Sequence, residues 1–259
     1  MTYCLSLLCE EGIVFVSDSR SNAGMDNINT HRKMYVFEVP GERVVCLMTS
    51  GNLSLTHTVI ALIEEDMLTA KMSPDHAHLM NQPTMFETAR YVGTKIREVE
   101  VTERAHLEKD DYRFNINCIV GGQIASLPHQ IYRIYPQANV VHARDDSPFL
   151  QIGEFKYGKP ILDRGFTHKT SLCEAVKFGA LSMDSTMKSN VSVGPPVDIM
   201  CYTKDSLKAC HRVRLSEGDP YLQEIRGRWS RGLTELVHSM PELKFPDEPQ
   251  DVNVGLTSG

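Results

Sequence analysis

The sequence predicts an α+β fold in which two apolar sheets lie stacked between two helical layers, a four-layer αββα sandwich. Three observations carry this. Strand patterns and helix patterns come in blocks instead of alternating, which argues for separate layers rather than βαβ units. The run Ile13-Val14-Phe15-Val16 is apolar at consecutive positions, so its sheet is covered on both faces. The helical patterns fall in two blocks separated by strands, one for each outer face.

The elements follow in order. Residues 3–9 and 12–17 read as strands joined at Glu10-Glu11, and 19–32 as a polar loop rich in Asn and Ser. Strands at 34–39 and 43–49 flank the Pro40-Gly41 turn. From Asn52 the period changes: Leu55, Val59, Leu62, Ile63 and Met67 mark one helical face. Thr84 and Glu87 form a capping box ahead of a helix striped by Phe86, Ala89, Val92, Ile96 and Val99. Strands are expected at 114–120, 130–135 and 140–142, with Gly121-Gly122 as a hairpin turn. Ser171 and Glu174 form a second capping box, opening a helix through Leu172, Val176, Ala180 and Met183. Strands near 197–203 and 211–215 precede a last helix from about Pro220, carrying Leu222, Ile225, Trp229, Leu233, Leu236 and Met240. One domain over 1–245 is expected, with 217–242 as a helical extension and 246–259 as a flexible tail.

Bulk properties narrow the class. The 259 residues are 41% hydrophobic and 23% charged, ordinary values for a globular protein. A net charge of −6 with no basic stripe argues against nucleic acid as a partner. No apolar run is long enough to span a bilayer, and the first residues lack a secretion signal. The seven cysteines, at 4, 9, 46, 118, 173, 201 and 210, include no C-x-x-C pair, the usage of a reducing cytoplasm. Asp75-His76-Ala77-His78 has metal-ligand types but no third spaced ligand, so it reads as a surface loop, and no cofactor is expected.

Hairpin arithmetic places the chain ends. A two-residue loop at Glu10-Glu11 pairs Cys9 with Gly12, so paired numbers sum to 21 and Thr2 comes level with Ser19, beside Asp18. The second hairpin gives a sum of 81 or 82, which sets Lys33 opposite Met48 or Thr49, close to Gly51. If Met1 is removed, as is usual before a small residue, Thr2 offers a hydroxyl and a free α-amine on one residue.

An N-terminal Thr, an Asp-x-Arg after the second strand, a Lys opening the third and a Gly closing the fourth resemble the proteasome β-subunit and HslV class of N-terminal nucleophile hydrolases. SDSRSNAGMDNINTHRKM and SMDSTMKSNVSVGPPVDIMCYT are similar to the bacterial branch of that class called Anbu. The resemblance covers Thr2 to about Ser206. It implies the αββα sandwich, a homo-oligomeric ring or spiral, and a catalytic set of Thr2 as nucleophile, Asp18, Lys33 and the oxyanion-hole Gly51. Arg20, Glu154, Asn190 and Ser192 enter as supporting residues. Two departures stand out. The Gly-Ser-Gly turn beside the nucleophile becomes Ile152-Gly153-Glu154. The Asp-x-x-Ser-Gly motif becomes Asn190-Val191-Ser192-Val193-Gly194, leaving Asp184 as the nearest acid. The resemblance also adds ATP-grasp ligase-like and transglutaminase-like proteins as partners.

The chemistry so implied is acyl transfer from an amide to water, with the α-amine, whose ordinary pKa is about 7.7–8.0, as base. The leading expectation is a cytoplasmic threonine peptidase acting on peptide or related amide bonds. A small-substrate amidohydrolase and a catalytically silent scaffold are the alternatives.

Overall fold

The computed structural model describes residues 2–22, 28–109 and 114–243. Sheet I has the order β10-β1-β2-β11-β12 and consists of β1 (Tyr3–Cys9), β2 (Gly12–Asp18), β10 (Phe149–Gly153), β11 (Val197–Thr203) and β12 (His211–Leu215). Sheet II has the order β5-β6-β7-β8-β9, from β5 (Met34–Val39), β6 (Arg43–Gly51), β7 (Ile116–Ile124), β8 (Gln130–Ile134) and β9 (Val140–His142). Every ladder within the two sheets is antiparallel. Antiparallel neighbours need no crossover: β1 turns straight back into β2, and β6 and β7 lie side by side although residues 52–115, two helices included, separate them in the chain.

Three apolar clusters make the layers. Cys4, Phe15, Met48, Ile119 and Met200 fill the space between the sheets. The outer face of sheet II is covered by α1 (Leu53–Thr69) and α2 (Met85–Lys109), through Val59, Ile63, Ala89 and Ile96. The outer face of sheet I is covered by α3 (Lys159–Gly165), α4 (Leu172–Ser189) and the start of α5 (Pro220–His238), through Leu162, Ala180, Met183 and Leu222. Because β1 and β2 face a cluster on each side, all fourteen of their residues are buried, and an uninterrupted apolar run is what that environment selects.

The helix starts are fixed locally. The Asn52 side chain accepts the Ser54 and Leu55 N–H groups at 2.9 and 3.4 Å, and Ser171 with Glu174 closes a capping box on α4. Thr84 Oγ1 accepts the Glu87 N–H at 3.1 Å.

The observed registers sum to 21 for β1–β2 and to 82 for β5–β6. Three sequence readings need correction. Gly121-Gly122 is no turn but lies inside β7; a Cβ on Gly121 would stand 2.6 Å from the Ile131 side chain, so glycine lets β8 approach. The segment 149–153, read only for its terminal turn, is a strand on the edge of sheet I, held by β1 from nearly 150 residues away. The polar loop 19–32 contains a two-stranded ribbon, β3 (Arg20–Asn22) and β4 (Ile28–Thr30). Asp184, the nearest acid to Asn190 in sequence, stands within α4 before its Asn190 cap and pairs with Arg226 of α5 at 2.6 Å. The expected tail 246–259 lies outside the described residues, and among those described no helix is long and apolar enough to cross a membrane.

Candidate active site

One end of the sandwich gathers the start of β1, the end of β2, the end of β10 and the start of β11. The pairs Tyr3↔Gly153 and Val197↔Asp18 align them. The facing rim of sheet II holds the start of β5 and the end of β6, where the Thr49 N–H donates to the Lys33 carbonyl at 3.0 Å. Side chains from both sheets meet in the gap.

Asp18 is the centre of that meeting. It is fully buried and accepts three hydrogen bonds: Oδ1 takes the Lys33 ammonium at 2.8 Å and the Tyr3 N–H at 3.0 Å, and Oδ2 takes the Gly194 N–H at 3.4 Å. Burial pushes the Asp18 carboxyl above its ordinary value, while the Lys33 charge and these donors pull it back. Lys33, 6% exposed, spends a second proton on the Arg20 carbonyl at 2.6 Å. A buried ammonium with an anion and a carbonyl at hydrogen-bond distance is satisfied where a lone one would not be. The nitrogen hydrogen-bonded to Asp18 belongs to the Thr2–Tyr3 peptide, so Thr2 and Lys33 are tied to one carboxylate oxygen.

A second set of contacts fixes Thr2 from the other side. Its carbonyl accepts the Glu154 N–H at 2.7 Å. The chain reaches that position through Gly153 at φ +82°, where a Cβ would stand 1.9 Å from the Thr2 carbonyl oxygen. The Glu154 carboxylate accepts from the Lys156 N–H at 3.3 Å and from Asn190 Nδ2 at 3.4 Å. Asn190 caps α4 and accepts the Ser192 N–H at 3.0 Å, a turn that carries the chain towards Gly194. Arg20 closes the loop: its guanidinium donates to the Val191 carbonyl at 3.0 Å and its N–H to the Gly194 carbonyl at 3.3 Å.

Thr2, Asp18, Lys33, Arg20, Glu154 and Asn190 therefore form one connected set. Ser192 joins it through its backbone N–H. Gly51 ends β6 at the same rim, opposite Ile116 and two residues beyond Thr49. Sequence reasoning missed the support beneath. The Tyr3 phenol, which burial pushes up to about 12, meets Ser182 Oγ at 2.7 Å and Gln151 Nε2 at 2.5 Å. Ser182 in turn donates to the Gly158 carbonyl at 2.9 Å, tying β1 to α4 and to the turn before α3. A Tyr at the first strand position, apolar elsewhere, was the available signal, since a buried phenol needs partners. Burial and then the Asp18 charge push the Cys4 thiol well above its usual range, so Cys4 is no thiolate nucleophile.

The two imidazoles of the 75–78 segment have structural partners: His76 Nε2 lies 2.9 Å from Asp66 Oδ1, and His78 Nδ1 accepts the Met80 N–H at 3.2 Å.

A sandwich of two antiparallel sheets between helical layers, with Thr, Asp and Lys converging at one rim, defines a proteasome-like N-terminal nucleophile fold. Solved structures agree over nearly the whole chain. Anbu (Gly-1) mutant from Hyphomicrobium sp. strain MC1 is 38% identical, with a TM-score of 0.87 over 95% of this chain and 100% of that one. Anbu (ancestral β-subunit) from Yersinia bercovieri is 39% identical, with a TM-score of 0.86 over 94% and 99%. Anbu from Pseudomonas aeruginosa, solved as a helical assembly, is 41% identical, with a TM-score of 0.86 over 93% and 98%. The chain belongs to the Anbu family. No protein-family model and no curated protein matches it.

Proposed function

We propose that the chain is a threonine hydrolase of the proteasome type, cleaving peptide or related amide bonds in a self-assembled ring or spiral. The observation that carries this reading is the single Asp18 oxygen bonded both to Lys33 Nζ and to the Tyr3 N–H. In this reading Met1 is removed, and the Thr2 α-amine, directly or through a water, takes the proton from the Thr2 hydroxyl. The oxygen attacks the amide carbonyl, and the Gly51 N–H receives the oxyanion. Such a donor is worth about 3–4 kcal/mol in comparable sites. The proton passes to the leaving amine, the C–N bond breaks, and an ester to Thr2 remains. Water, deprotonated by the same amine, hydrolyses the ester and restores the hydroxyl. Lys33 favours the alkoxide by its charge, and Asp18 holds Lys33 in place.

Seven free cysteines support work in a reducing cytoplasm. Self-association is supported by the helical assembly of the Pseudomonas aeruginosa relative. ATP-grasp ligase-like and transglutaminase-like proteins are the partners that the family resemblance suggests.

A second reading has its own support. Glu154 carries its carboxylate on the same residue whose N–H holds Thr2, and Asn190 braces it, which suits a narrow amidohydrolase selecting a small substrate with a cationic or hydrogen-donating group. Intact mass first establishes whether Met1 is gone. Labelling by an epoxyketone directed at N-terminal threonine is then compared with Thr2→Ala. Label on the wild type alone supports the hydrolase, and no label on either leaves the silent scaffold. Profiling a peptide library against small amides separates the two enzymes.

A further inference from the structure

Two free sheet edges share one flank of the sandwich. β5 ends sheet II and β12 ends sheet I, and both line a slot of about 520 Å³. Register shows which side chains face into it. Met200 belongs to the core between the sheets, so Arg212 directly opposite it shares that inward face. Two residues along each strand, Asp198 and Arg214 do the same. Met34 and Val36 meet them from β5. Val36 is paired with Cys46, whose thiol burial pushes up and the Arg212 charge pulls down, so the guanidinium lies towards this part of sheet II.

The charges of the slot are unevenly matched. Arg214 Nη1 reaches both oxygens of Asp198, at 2.9 and 2.7 Å, and Ser19 Oγ donates to the second at 3.0 Å. Arg32 and Arg212 line the same slot and form no ion pair among the described residues. Three arginines against Asp198 and Glu64 leave it at +1, in a chain whose net charge is −6. Inward charges also blunt a free edge. Blunting, however, does not require unpaired arginines from two separate segments to converge on one cavity.

The main chain of β5 supplies a second recognition element. The Thr49 N–H donates to the Lys33 carbonyl, so alternate residues from Lys33 onwards bond to β6. The N–H and C=O groups of Met34, Val36 and Glu38 therefore turn away from the sheet. An extended chain can pair with them, and every second side chain of that chain then lies over the slot.

We propose that this flank binds an extended acidic peptide, which adds to the β5 edge and places a carboxylate side chain between Arg32 and Arg212. Arginine forks match carboxylates, and neither of these has to leave an existing ion pair to do so. The assignment goes beyond the hydrolase reading and stands apart from it, since binding here needs no chemistry at Thr2.

The test uses the full-length protein carrying Thr2→Ala, so that no peptide is consumed. Fluorescein-labelled octapeptides of alternating Thr and Glu, or of alternating Thr and Gln, are titrated by fluorescence polarisation. The acidic peptide should bind at least about 10-fold more tightly, as charge-assisted hydrogen bonds supply. Adding Arg32→Gln/Arg212→Gln should remove that preference with the urea midpoint unchanged. Adding Arg97→Gln/Arg231→Gln instead, which removes the same charge from exposed sites on α2 and α5, should keep it. Methylation of the peptide nitrogens should abolish binding, and free glutarate should compete only in large excess. No saturable binding, equal affinity for the two peptides, or a preference that survives loss of Arg32 and Arg212 overturns the site. Competition by glutarate as effective as by unlabelled peptide, or full binding of the methylated peptide, overturns the peptide as its occupant. Labelling of the Thr2 protein by the epoxyketone reports the hydrolase separately, so either reading can fail while the other stands.

Discussion

Removing the Lys33 ammonium should make stability depend on pH in a direction set by Asp18. In Lys33→Ala the fully buried carboxylate loses its counter-charge and keeps only the Tyr3 and Gly194 N–H donors. Breaking a buried pair by removing one partner costs about 3–5 kcal/mol. Burial already holds the Asp18 carboxyl above its ordinary value, and Lys33 is the largest influence pulling it back, so the variant's carboxyl rises further. A carboxyl raised on folding binds its proton more tightly in the native state, so stability is greatest at low pH and is lost as pH rises through the folded value. The cost should be close to the full range at pH 8 and clearly smaller at pH 5, where the folded variant takes up a proton. Lys33→Ala/Asp18→Asn, which leaves no buried charge, should recover much of the loss at pH 8. Urea unfolding followed by circular dichroism at both pH values measures each term, and the double-mutant cycle isolates the pair. An equal cost at pH 5 and pH 8, or no recovery in the double variant, would refute the argument that an uncompensated carboxylate is the cause.

Two further outcomes test other parts of the molecule. Glu154→Gln keeps an acceptor for Asn190 but removes a negative charge beside Thr2, so the half-point of epoxyketone labelling should move to lower pH; an unmoved pH profile removes Glu154 from any electrostatic role at the amine. Hydrogen bonds from Lys95, Tyr91 and His76 outweigh burial and hold the Asp66 carboxyl down at about 2. That contribution is present above pH 4 and lost as pH falls towards 2, so Asp66→Asn should cost about 1 kcal/mol at neutral pH, screened by nearby solvent, and little at pH 2. Chemical unfolding at the two pH values reads the difference.

How far the chain explains itself depends on how local each cause is. The β1–β2 and β5–β6 registers were legible because a short loop fixes antiparallel pairing, and pairing alone brought Thr2 to Asp18 and Lys33 to Thr49. What pairing within one sheet does not contain is the stacking of one sheet on the other. The 2.8 Å approach of Lys33 to Asp18 needed coordinates for that reason. The strand Phe149–Gly153 escaped because its five residues show no alternation, being an edge strand against β1. Gly121-Gly122 misled because glycine marks a close approach as well as a turn. Glu154 and Asn190 are 36 residues apart, and Asp184 and Arg226 are 42 apart, so neither contact leaves a local pattern.

The candidate site straddles the two sheets, which makes the core between them a functional part. Asp18 belongs to sheet I and Lys33 enters sheet II, and Cys4 Sγ of β1 also reaches the Thr49 carbonyl of β6 at 3.9 Å. A small change in sheet stacking therefore moves the ion pair, whereas a change under an outer helix leaves both rims in register. Met48 and Ile96 allow a controlled comparison, since both are fully buried, Met48 between the sheets and Ile96 between α2 and sheet II. Truncation of either to alanine should cost about 2–5 kcal/mol through lost burial and a residual cavity. Met48, next to the Thr49 that hydrogen-bonds the Lys33 carbonyl, should lose most of its labelling rate under conditions where the protein remains folded. Ile96→Ala, at matched stability loss, should label at close to the wild-type rate. Equal loss in the two variants would mean that global destabilisation, and not the seating of one sheet on the other, governs the site.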